Sequence, residues 1–419
     1  MGEKTMNAEI NREALSGMVK AAVENTPVLD VHTHIFDANF GNLLLWGIDE
    51  LLTYHYLIAE VFRAAPMPYA QFWAMSKKGQ ADHIWRRLFL ERSPISEACR
   101  GIVTCIRELG LDPGERNLEN IRSYFRDLRA ADYIDIVFAR SKVRQVVMTN
   151  DPFDDSERPI WNREMQRDSR FLAALRIDRL LLDWNRSCDM LKSWGYEVER
   201  GLGPWTLREI RRFLSDWIKK MHPVYMAASL PPSFTFPENS PCGVIIERCV
   251  LPAGRESNLP FAMMIGVKKL VNPELGLAGD SVGKSSIDAL ERLCSLYPEN
   301  RFLVTMLSRE NQHELCVTAR KFPNLMIFGC WWFLNNPSII TEITRERIEL
   351  LGFSMIPQHS DARVLDQLLY KWIHSRKVIG NVLAEKYLDL ADSGWRVNEE
   401  EVRSDVKLLF GGIFEKFIA

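Results

Sequence analysis

The chain has 419 residues, 47% hydrophobic and 26% charged, enough for one large barrel with an insertion or for two domains. A formal net charge of -2 lacks the basic excess of a nucleic-acid binder, and no apolar run is long enough to span a membrane. The opening stretch to Asn25 has no export-signal core and reads as an amphipathic helix, Gly2 is a poor acylation signal, and eight scattered cysteines without a Cys-x-x-Cys pair read as free thiols of a cytoplasmic protein.

In chain order, short apolar runs alternate with stretches of near-3.6 apolar spacing. The predicted strands are VLDV from Val28, VRQVVMT around Val146, FLAALRI around Leu172 and VYMAASL around Met226. They continue with FAMMIGV around Met263, FLVTML around Val304, NLMIFGC around Ile327 and FSMIPQH around Met355. Predicted helices between them include TLREIRRFLSDWIKKMH, SSIDALERLCSLYP, ENQHELCVTARKF and IITEITRERIELLG. Eight βα units predict an α/β fold of the (β/α)8 TIM-like barrel class, with a doubly wound open sheet as the alternative. Closure is favoured because the first and last strands both end in ligand-type residues and are neighbours only in a closed sheet. The predicted organisation is an N-terminal helix and first strand over 1–37, a helical insertion over the barrel mouth at 38–141, and the rest of the barrel with C-terminal helices over 142–419. The insertion is far longer than an ordinary βα connection. The Pro-rich SLPPSFTFPENSPCG after the fourth strand reads as a loop.

Chemistry-bearing residues gather at the predicted strand ends. His32 and His34, spaced i and i+2 on an extended segment, point to one side and read either as half of a metal site or as a satisfied surface or core histidine pair. Barrel closure brings Asp361 beside them, and two imidazoles with one carboxylate suit one divalent ion, zinc or manganese. Asp30 is expected on the His32 face as a supporting partner, and His359 is an alternative ligand. His55 and Tyr56 in the insertion form either a packed aromatic pair or an acid–base pair over the mouth. Arg176 with Asp178, and Arg363, read either as salt-bridge partners or as a grip on an anionic, oxygen-rich substrate. Weaker candidates lie on loops after other strands: Asn150 and Asp151; Ser308, Arg309 and Asn311; Trp331 and Trp332. Of these, Arg309, Trp331 and Trp332 join Arg176 and Asp178 as expected substrate contacts. His83, His222, His313 and His374 read as surface or packing residues.

The motifs DVHTHIFD, HY, TNDP, LRID, GCWWF and SDAR, in this order and over almost the whole chain, resemble the bacterial uronate (glucuronate) isomerases of the amidohydrolase superfamily, especially a shorter, divergent branch. The resemblance implies interconversion of D-glucuronate with D-fructuronate and of D-galacturonate with D-tagaturonate, a sugar-acid partner, one divalent metal, often zinc, and cytoplasmic hexuronate catabolism. Neither nucleic acid nor membrane is expected as a partner, and a homo-oligomer is. His32, His34 and Asp361 fall on the family's metal motif; His55, Tyr56, Arg176 and Arg363 fall on its active-site motif. Longer members carry a histidine at the end of strand five, where this chain has Met264, a poor ligand for zinc or manganese. The expected mechanism holds the substrate carboxylate on the metal and Arg176. Either Tyr56, activated by Arg363 and His55, or Asp361 then removes the C2 proton to give a cis-enediol. The alternatives are a mononuclear metal-dependent hydrolase of lactonase or deaminase type, and a non-catalytic carbohydrate-binding barrel.

Overall fold

Val-, Ile- and Leu-rich runs bounded by turn residues form, among the described residues, seven parallel strands. They are β1 (Val28–Thr33), β2 (Val143–Asn150), β3 (Phe171–Arg176), β4 (Met226–Leu230), β5 (Phe261–Ile265), β6 (Phe302–Met306) and β7 (Leu325–Ile327). A computed structural model describes residues 11–163 and 166–419; the expected helical reading of residues 1–10 lies outside them. Each strand pairs in parallel with its sequence neighbour, so the sheet curls in chain order.

The eighth position is irregular. Ile356 bridges Phe328 just past β7, and the chain then reaches β1 through Asp361 N–H to the His32 carbonyl (3.1 Å) and His34 N–H to the Ala362 carbonyl (2.7 Å). Pro357 has no donor for a ladder, and Asp361 leaves the extended region at φ +50°. Segment 355–362 therefore closes the sheet without being a strand, where a regular eighth strand was expected.

Alternate strand residues divide the core. Leu29, Val147, Ala174, Ala227, Ala262 and Leu303 pack together inside the curled sheet, whereas Val146, Ala173, Met263 and Val304 pack outward on the helices. Phe414, in the C-terminal helix Ile413–Ile418, joins the interior cluster beneath Tyr225. Helices used below are α1 (Arg12–Asn25), α2 (His55–Ala64), α3 (Glu97–Glu108), α4 (Ala130–Ser141), α5 (Pro204–Met221), α6 (Pro337–Leu351) and α7 (Gln367–Asp392). Helix α7 is the strut of the assembly: α1, α3, α4 and α6 all pack on it. Helices fill most of the chain between β1 and β2. Its α2 packs on residues Pro273–Gly279 after β5, and Trp73 Nε1 donates to the Glu274 carbonyl at 2.8 Å, tying the insertion across the mouth. Its α3 and α4 line the wall beside α7 instead. Among the described residues no helix is long and apolar enough to cross a membrane, and all eight cysteines are free.

One irregularity in β1 aims the site. Asp30 pairs with Val146 but Thr33 pairs with Met148, so β1 carries one more residue than β2 over this span, a bulge that breaks the two-residue alternation. Asp30 turns its carboxylate to Trp372 Nε1 on α7 (2.8 Å) and the Ser360 N–H (3.0 Å). His32 instead sits inside, beside Tyr225 and Phe328. The shared face expected for Asp30 and His32 is thus corrected by the bulge; Asp30 does support the site, through Ser360.

Candidate active site

His32 at the end of β1, His34 just beyond it and Asp361 in the closing segment converge, with one ligand atom from each lying within 4.8 Å of the others. Asp361 Oδ1 lies 3.5 Å from His32 Nε2 and 3.4 Å from His34 Nε2. Donors about 2.1 Å from a tetrahedral ion lie about 3.4 Å apart, so this spacing fits such an ion. His32 Nε2 is buried with no hydrogen-bond partner among the described residues, and an ion would supply one.

Neighbouring hydroxyls fix which nitrogen of each ring would face an ion. The single Thr149 hydroxyl proton goes to the Thr33 carbonyl (3.0 Å), so toward His34 Nδ1 at 2.8 Å this oxygen can only accept. His34 then carries its proton on Nδ1 and presents a lone pair at Nε2. Tyr225 repeats the arrangement for His32: its hydroxyl donates to the Val31 carbonyl (2.8 Å) and lies 3.4 Å from Nδ1. Burial pushes His34 down to about 3 against the pull of Asp361, so its ring is neutral at neutral pH. Asp361 sits against both Nε2 atoms and, although burial acts to raise it, is held well below the ordinary carboxylate range. The donor set thus presents two imidazole nitrogens and a carboxylate oxygen toward one point, the ligand types that zinc or manganese takes.

The residues beside this triad line a chamber of about 260 Å³ that holds His34, His55, Arg176, Asp178, Asp361 and Arg363 on its wall, with Trp331, Trp332 and Met264. Arg176 is locked in a two-pronged bond to Asp178, Nε to Oδ2 at 3.0 Å and Nη2 to Oδ1 at 2.9 Å, while Asp178 also accepts the Ser229 N–H. Burial raises Asp178, and the charge and bonds of Arg176 outweigh it, so the pair is ionised. Arg363 differs: among the described residues no carboxylate lies within 4 Å of its guanidinium. Lys269, also on the wall, is neutralised by Asp280 at 2.7 Å. An outer cavity of about 650 Å³ shares Tyr54, His55 and Arg363 with the chamber. The larger groove of about 920 Å³ lies far from this chemistry, along the C-terminal part of α7.

His55 starts α2 and lines the chamber. Its Nε2 is buried without a partner, and burial followed by the charge of Arg363 pushes it down to about 3, leaving a neutral ring. Tyr56 is placed differently from expectation. Its hydroxyl donates to the Trp332 carbonyl at 3.4 Å, and burial, with Tyr54 and Asp361 acting in the same direction, raises its pKa well above the phenol range. The anticipated lowering of Tyr56 by a nearby cation is therefore corrected: desolvation wins. Tyr54, one residue before the HY pair, lines the chamber and was missed; the aromatic run YHY was its only signal. Thr149 and Tyr225 were missed because a hydroxyl's partner is decided by the sheet. Arg309 is not brought to the site: it is exposed and paired with Glu342 at 3.0 Å on α6. Asn150 and Asp151 are held by Glu157, and Asn311 holds both backbone groups of Ser285, so these loops are braced internally. His359 is buried 5.0 Å from the His32 ring but outside the converging set. His313 pairs with Glu346 at the surface, and His374 with Glu97 and Thr104 between helices, in line with their packing assignment.

A scan against family models and a search of curated proteins return no match. Among solved structures, the chain is similar to a uronate isomerase from Bacillus halodurans C-125, at 58% identity over 97% of this chain and 96% of that chain, with a TM-score of 0.96. Two others share the fold: a uronate isomerase from Thermotoga maritima (16% identity, 97% of each chain, TM-score 0.77) and a glucuronate isomerase from Caulobacter crescentus (14% identity, 100% of this chain and 96% of that one, TM-score 0.78).

Proposed function

Since the chain belongs to the uronate isomerase family, we propose that it interconverts D-glucuronate with D-fructuronate, and D-galacturonate with D-tagaturonate, by proton transfer between C2 and C1 through a cis-enediol. The observation that carries this reading is the chamber itself, a small cavity where His34 and Asp361 of the converging triad share a wall with Arg363, whose guanidinium has no carboxylate partner among the described residues. A divalent ion on His32, His34 and Asp361, zinc in this reading, would polarise substrate oxygens as a Lewis acid. Arg176, tethered through Nε and Nη2, keeps Nη1 for the substrate carboxylate, and Asp178 fixes its plane. Arg363 offsets negative charge developing on the enediol oxygens. Asp361 is the stronger candidate for the C2 base because it is ionised at neutral pH, whereas Tyr56 and Tyr54 retain their protons. The neutral His55 exchanges a hydroxyl proton, and Trp331 and Trp332 exclude water from the chamber. Met264, on the same wall, offers a thioether where a hydrolase would place a strand-five ligand, so hydrolysis gains no support. The free thiols fit a cytoplasmic enzyme, and a homo-oligomer completes the reading.

The test couples metal-loaded enzyme and D-glucuronate to a ketouronate reductase and follows nicotinamide oxidation. Wild type should turn over, and Asp361→Asn should lose about 10²-fold or more, the scale of general acid–base help. No turnover by wild type, or full activity in the variant, would refute the assignment.

A further inference from the structure

Behind Asp361, the first turns of α7 bring up a buried ammonium that the reaction scheme does not use. We propose that Lys371 is a positioning residue that sets the Asp361 carboxylate for metal binding, an inference that rests on the metal reading of His32, His34 and Asp361. The Lys371 side chain is buried, and its Nζ donates to the Ser360 carbonyl at 2.6 Å and approaches the Asp361 carbonyl at 3.4 Å. Among the described residues no carboxylate lies within 4 Å of it; its hydrogen bonds go to peptide oxygens, and it also lies 5.7 Å from the centre of the Tyr56 ring. The adjacent Trp372 donates to Asp30, whose other oxygen accepts the Ser360 N–H. One turn of helix thus grips both sides of residue 360, at the N–H through Asp30 and at the carbonyl through Lys371.

Asp361 needs such a grip. It holds φ +50°, a region that side-chain-bearing residues other than Asn and Asp rarely occupy and that costs energy to maintain. Its N–H is pinned to the His32 carbonyl at 3.1 Å. With the peptide pinned at both ends, the Cα–Cβ bond is left aimed at the two imidazoles. Stability by itself gives no reason for a lysine here, because burying an ammonium is costly and an apolar side chain of similar length would fill the space. Lys371 occupies this position because its charge draws two carbonyls to one point.

Cobalt(II) is the probe, since its visible absorption reports the coordinating atoms independently of turnover. Lys371→Met should keep the fold and its melting temperature but weaken cobalt affinity about 10- to 100-fold, the range for loss of a group that orients a ligand. Its absorption spectrum should shift as the Asp361 carboxylate moves. Lys371→Gln, which retains a shorter donor, should recover part of both. Affinity within about twofold of wild type together with an unchanged spectrum in Lys371→Met overturns the proposal. If Lys371→Met does not fold, Lys371→Gln is judged by the same two criteria. Wild type that binds no cobalt overturns the metal reading itself, an outcome distinct from equal binding by wild type and variant.

Discussion

At the residue scale, the imidazole nitrogens proposed to hold the metal are set by hydroxyls one step removed. Thr149 spends its only proton on the Thr33 carbonyl, and this commitment makes it an acceptor for His34. Replacing Thr149 by Val keeps the shape, removes the acceptor and leaves Nδ1–H unsatisfied in a buried place, a cost of about 1–3 kcal/mol. The ring can escape by moving its proton to Nε2, which abolishes the lone pair needed for the metal. Thr149→Val should therefore fold and lose cobalt affinity by about tenfold or more in a chelator competition. Undiminished affinity would show that the ring is oriented by other contacts. The threonine's role could not be read from TNDP, because what it bonds depends on the β1–β2 register.

At the element scale, strands and helices were legible because burial imposes their periods on the sequence, and each of the seven parallel strands overlaps a predicted run, while the short antiparallel pair Val267–Lys268 and Ser281–Val282 was not anticipated. Two features were not legible. The bulge in β1 has no signature in PVLDVHTH; it follows from pairing with β2, and it alone separates Asp30 from the His32 face. The last strand reads as apolar and extended, yet Pro357 and the left-handed Asp361 leave only a bridge at Ile356. That irregular closure depends on Gly329 after β7. Its φ is +68°, and a Cβ there would lie 1.9 Å from Cδ2 of the buried His359 ring. Its N–H donates to the Ile356 carbonyl and its carbonyl accepts from Arg347 on α6, so the backbone has no room to retreat. Gly329→Ala should therefore destabilise the protein by about 2–4 kcal/mol, combining backbone strain with overpacking. Urea denaturation measures this; a loss under about 0.5 kcal/mol would mean that the His359 ring moves freely.

At the scale of the whole molecule, the insertion and the barrel bury each other's polar groups, and stability should carry the mark of that burial. The sequence placed HY over the mouth, but not its electrostatic state, because desolvation depends on how closely α2 docks against the loop after β5. His55 is neutral in the fold, pushed to about 3 first by burial and then by Arg363. In the unfolded chain it takes a proton near pH 6.5. The folded value lies below the unfolded one, so its contribution to stability is complete above pH 6.5 and is lost as pH falls from there toward about 3. Glu157 opposes this over part of the range. Burial raises its carboxyl to about 8, so its contribution is complete below the unfolded value and is lost as pH rises through 8. Total stability therefore mixes opposing slopes, and a comparison isolates the His55 share. In metal-free protein, the stability of wild type relative to His55→Gln should be flat above pH 7. It should fall below pH 6.5 with a slope approaching about 1.4 kcal/mol per pH unit, the value for one proton. A difference that stays flat from pH 7 to 5 would mean that His55 is solvated and that α2 does not seal the mouth in solution.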